Sequence, residues 1–155
     1  MSFRIQSLLK SQFEHLFHLS DEDLASHLAK RMIATSKPGF PCRVSLADAE
    51  PGEEVILAHY EHQPANTPFR SSHAVYVRPH AAEAQLMVDE VPEQLRSRIL
   101  SLRAFGEDDM LVMADLADGK ALDQSLKEIF ENPSVSYIHI HFAKPGCYAA
   151  RADRA

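Results

Sequence analysis

From Phe40 onward the apolar residues of this chain recur at every second position, in short runs cut by turn residues, and this period constrains the fold more than any other feature. Glu54 to Glu61 reads as a strand with Val55, Leu57 and His59 on one face and Ile56, Ala58 and Tyr60 on the other. Cys42 to Leu46, His73 to Arg78, Ile99 to Phe105, Met110 to Leu116 and Val135 to Phe142 read the same way, and a last short strand lies around Tyr148. Pro51-Gly52, the proline-bearing stretch Gln63 to Ser72, Gly106 to Asp109 and Lys144-Pro145-Gly146 supply the turns between them. The short Gly106 turn makes Ile99 to Leu116 a hairpin.

Helical spacing is confined to a few places. Ser20 is a good N-cap, Asp21, Glu22 and Asp23 suit the positive end of a helix dipole, and Leu24, Ala25, Leu28, Ala29 and Met32 share one face, so a helix is expected over Ser20 to Ala34. A second, capped by Asp118, runs to about Glu131 with Leu122, Leu126, Ile129 and Phe130 inward, and Pro92 to Arg98 suggests a short one. Phe3 to Ser7 fits a first strand. These elements imply an α+β fold over residues 1–155 as a single domain, with an antiparallel or mixed sheet of about six strands and two main helices packed on it. Regular βαβ alternation is missing.

Composition narrows the functional classes. A net charge of -6, five glycines and no tryptophan argue against a nucleic-acid partner and against a glycine-rich phosphate loop. No apolar run approaches the roughly 20 residues that span a bilayer, so no membrane partner is expected. The N-terminus lacks a secretory pattern, and two cysteines outside any CxxC are expected as free thiols, which together read as cytoplasmic. No nucleophile-elbow motif is present.

Three constellations carry chemistry. In YIHIHF, strand alternation puts Tyr137, His139 and His141 on one face, where two imidazoles can share a metal ion if His59, His62, His73 or Cys147 supplies a third ligand. The pair lacks the glutamate and glycines of cupin-type barrels. The competing reading makes one histidine exposed and the other a core hydrogen-bonder. In HYEH, His59 and His62 point to opposite faces, as at an exposed strand end. Cys147, after Pro145-Gly146, is a candidate nucleophile if His141 or Arg151 stabilises its thiolate, whereas Cys42 reads as core. Lastly, Arg43, Arg70, Arg103 and Arg151 sit inside apolar segments, and Ser71, Ser72 and His73 add donors. Such arginines either hold an anionic ligand or pair with carboxylates such as Glu53, Glu54, Asp89 and Asp115.

PGFPCRVSL followed by Gly52-Glu53, then PFRSSHAVYV, LRSRILSLRAF and VSYIHIHFAKPGCYAARADRA, together resemble domain-of-unknown-function family 1203, a bacterial family of short single-domain proteins. The resemblance implies that Cys42-Arg43, Arg70, Arg103, Gly146-Cys147 and Arg151 belong to the family's pattern. It also implies that the His139/His141 pair is not family-wide, since an asparagine-containing stretch stands at His141-Phe142-Ala143 in many members. It carries no activity, cofactor or catalytic residue.

The leading expectation is a cytoplasmic domain binding a small molecule or anion, with Arg43, Arg70, Arg103, Arg151 and His73 lining the pocket and Cys147 near it. One alternative is an enzyme using the Cys147 thiol, with His141, or a His139/His141 metal site. The other is a homodimeric interaction module whose exposed strand edges pair between subunits.

Overall fold

A computed structural model describes residues 1–155. Eight strands form two antiparallel sheets. The first has the order β1-β8-β7-β5-β6, built from β1 (Phe3–Gln6), β5 (Ile99–Phe105), β6 (Leu111–Asp118), β7 (Tyr137–Phe142) and β8 (Tyr148–Arg154). The second has the order β2-β3-β4, from β2 (Ala29–Ile33), β3 (Glu54–Gln63) and β4 (Ser71–Val77). The α+β class and antiparallel pairing are as expected from the sequence, but one sheet carrying two helices is not what forms. The apolar runs divide between two sheets, and only α3 (Leu122–Phe130) is a helix of more than two turns.

The two faces of the larger sheet differ in kind. Register places Ile138 opposite Ala104 and Ala152, and Ile140 opposite Leu102 and Ala150. This face packs on Leu122, Leu126, Ile129 and Phe130 of α3 and on Leu95 of α2 (Glu93–Arg96). The other face carries Tyr137, His139 and His141, with Phe105, Arg103 and Ser101 opposite them on β5 and Asp153, Arg151 and Tyr148 on β8. Tyr148 enters the core of the smaller sheet, beside Ile56, Ala58, Val75, Val77 and the N-terminal Leu8, Phe13 and Leu16.

Two local expectations are corrected. The Ser20–Ala34 helix stops early: α1 covers Asp21–Ser26, with the Ser20 hydroxyl capping Asp23, and the chain turns at Leu28. Residues Ala29–Ile33 then pair with β3, where Arg31 joins Asp21 to Glu54. Cross-strand hydrogen bonds and burial of Ala29 outweigh a helical periodicity that an amphipathic strand can also satisfy. Cys42 to Leu46 is not a strand. It is a turn held by isolated bridges from Pro41 to Asp48 and from Cys42 to Tyr76, with Leu46 at a positive φ of 52°.

Candidate functional site

The histidine face is completed by β3. A register irregularity between Tyr60 and Gln63 turns both His62 and Gln63 inward. The HYEH segment is therefore not an exposed strand end: His59 is exposed, but His62 packs on the larger sheet. One ring nitrogen from each of His62, His139 and His141 lies within 4.8 Å of the others. The His62 and His141 ring centres are 5.0 Å apart. Tyr148 stacks on His62, while Phe105 and Tyr137 close against His139. Neither HxH histidine is exposed, His139 being 4% and His141 1% accessible.

Burial drives all three imidazoles to the neutral form. It lowers the pKa of His62 to about 4 and those of His139 and His141 to about 3, with the nearby Arg103 guanidinium acting in the same direction. The Nδ1 of His141 donates to the Gly146 carbonyl at 2.9 Å, which leaves Nε2 with its lone pair free. His62 Nδ1, His139 Nδ1 and His141 Nε2 are buried and have no hydrogen-bond partner in the protein. An unpaired buried polar atom costs about 1–3 kcal/mol, so three in one place is an unusual concentration of unmet demand.

The pocket around them has a volume of about 250 Å³ and is also lined by Gln63, Phe69, Ser71, Arg103, Phe105 and Leu111. Gln63 donates to the Tyr137 hydroxyl, which donates to Asp109. Arg103 faces His139 across the β5–β7 pair, and its pKa is lowered by burial alone, with no acidic partner acting on it.

A second, larger cleft of about 650 Å³ includes Arg43, His73, Tyr76, Arg98, Phe142 and Cys147 in its lining. Arg43 is 1% exposed, and its guanidinium donates to the carbonyls of Pro41 and Tyr148 and to Cys147 Sγ at 2.9 Å. Arg98 is held by Asp48 through two hydrogen bonds. Size favours this cleft, but the unpaired ligand-type atoms lie in the smaller one.

The four predicted arginines therefore do not converge. Arg43 sits in the larger cleft with His73 and Cys147, and Arg103 in the histidine pocket. Arg70 pairs with Glu61 on the surface, and Arg151 pairs with Asp153 while stacking on Tyr137. The carboxylates expected to pair with them are otherwise engaged, Glu53 with Arg78 and Glu54 with Arg31. The neighbour of the Cys147 thiol is Arg43, not His141 or Arg151. Of the four residues offered as a third ligand, His62 is the one that joins the HxH pair, and it does so through the irregularity in β3, which has no signature in the sequence. Arg98 is a lining residue of the larger cleft that the sequence does not single out.

A protein-family model described as a protein of unknown function (DUF1203) matches residues 39–154, which include His62, Arg103, His139 and His141. No curated protein and no solved structure matches the chain. No helix is long and apolar enough to cross a membrane.

Proposed function

This chain belongs to the DUF1203 family, and we propose that it binds one divalent transition-metal ion through His62, His139 and His141. The supporting observation is the meeting of three buried, neutral imidazoles, each with an unpaired ring nitrogen. Neutral imidazole suits zinc, copper, nickel and iron. Three protein ligands leave a fourth position open, the arrangement of catalytic rather than structural zinc sites. The Gly146 carbonyl fixes the His141 tautomer as outer partners of metal-bound histidines do. Packing alone explains the aromatic neighbours but leaves the three nitrogens unsatisfied. Titration of untagged, chelator-treated protein with zinc or cobalt by calorimetry should give one ion per chain. His62→Ala, His139→Ala and His141→Ala should each weaken binding about 10–100-fold or more. Equal affinity in wild type and His62→Ala would falsify the proposal.

A second reading, a small-molecule cleft at Cys147, is favoured by a fully buried guanidinium with no carboxylate partner donating to Sγ. This reading keeps Arg43, His73 and Cys147 from the sequence expectation and assigns Arg70 and Arg151 to surface pairing. Alkylation by iodoacetamide in the folded state supports it, and alkylation only after unfolding removes it. The homodimer is best supported by the edge strand β6, which exposes Leu111, Val112 and Leu116. Val112→Lys should then convert a dimer to a monomer by light scattering. The free thiols Cys42 and Cys147 support a reducing compartment such as the cytoplasm.

A further inference from the structure

We infer that the histidine centre takes a small oxyanion as its ligand, one oxygen bound to the metal ion and another held by Arg103. The inference rests on the metal reading above and follows from charge. Three neutral imidazoles cancel none of the charge of a divalent ion. Arg103 adds another positive charge in the same pocket, and no residue of its lining is acidic. Carboxylates on the flanking strands and turn are committed elsewhere: Asp109 accepts the Tyr137 hydroxyl, Asp153 is paired with Arg151, and Glu61 with Arg70. Buried cations without counter-charge are costly, so the occupied site calls for an anion from outside.

Arg103 is placed to receive it. The residue lies directly across from His139 on the same sheet face, shares the pocket with all three histidines and has no ion-pair partner. Its guanidinium offers parallel donors matched to two oxygens of a carboxylate or phosphate, which a lysine cannot reproduce. Arg70 and Arg151 already have such partners and Arg43 is buried elsewhere, so Arg103 alone among the four predicted arginines is free for this role. The pocket of about 250 Å³ falls below the roughly 300–1,000 Å³ of drug-sized sites, so the ligand is small. Its remaining walls mix the apolar Phe69, Phe105 and Leu111 with the neutral polar Gln63 and Ser71.

The test loads the protein with Co²⁺, whose visible spectrum reports changes in coordination, and titrates acetate, oxalate and phosphate into wild type, R103K and R103Q. In the wild type at least one anion should change the spectrum saturably. The dissociation constant for that anion should rise about tenfold or more in R103Q and by less in R103K, while cobalt stoichiometry stays the same in all three. A response to acetate or oxalate assigns a carboxylate ligand, and a response to phosphate alone assigns an inorganic oxyanion. A cobalt-loaded wild type that no anion perturbs, or equal anion affinity in R103Q, overturns the inference and leaves the metal site standing. Failure of the wild type to bind cobalt overturns both. Should R103Q fail to fold, the wild-type titration together with R103K decides.

Discussion

Arg43 shows how much a single side chain can organise. Its guanidinium joins the Pro41 turn, the Tyr148 carbonyl of β8 and the Cys147 thiol, and its plane lies over the Phe142 ring. Burial lowers its pKa, and contact with Cys147 opposes that effect. Arg43→Ala should cost about 3–5 kcal/mol in urea denaturation, because three acceptors lose their donor and a cavity remains. Arg43→Lys should recover only part of this, since an ammonium does not reproduce the planar fork. The histidines predict a pH dependence of the metal-free protein. Their folded pKa values, about 3 to 4, lie below the usual value near 6.5, so the unfolded chain takes up protons first as the pH falls. Their contribution to stability is therefore complete above about pH 6.5 and is lost progressively toward pH 3 to 4. The urea midpoint should fall over that window, and more shallowly in His139→Phe. Parallel profiles for the two proteins would show that the imidazoles are not held neutral.

At the scale of elements, close approach explains the 3₁₀ turn that joins β6 to α3. A Cβ on Gly119 would lie 1.9 Å from the Leu95 carbonyl oxygen and 2.6 Å from that of Arg98. Gly119→Ala should thus force α2 and the turn apart and cost about 2–3 kcal/mol or more, measured as a fall in thermal midpoint. The hairpin β5–β6, the buried stripe of α3 and the alternation in β7 were legible, because each is a local pattern of apolar residues and turn signals. The end of α1 was not, since Leu24, Ala25, Leu28, Ala29 and Met32 suit a helix, and pairing to Val55 and Ile56 of a later strand decides otherwise. Two of the three histidines, His139 and His141, could be read from HxH spacing. The third member, His62, faces the pair only through the irregular stretch of β3 and the meeting of two sheets, both consequences of non-local packing.

At the scale of the whole molecule, the proposed metal centre spans two sheets, with His62 from β3 of the smaller and His139 and His141 from β7 of the larger. An ion bound only by the folded state stabilises it by mass action, about 2.7 kcal/mol when its free concentration is 100 times the dissociation constant. Zinc should therefore raise the thermal midpoint by about 5–10 °C over chelator-treated protein, and His62→Ala should abolish the rise. No change on adding zinc would mean that the imidazoles meet without being bridged. The most direct measurement is anomalous diffraction at the zinc edge from crystals of zinc-loaded protein. The account predicts a single strong peak about 2.0–2.1 Å from one ring nitrogen each of His62, His139 and His141, with a non-protein ligand on the side of Arg103. A zinc peak at surface residues only, with the three rings unmoved and unbridged, would contradict it.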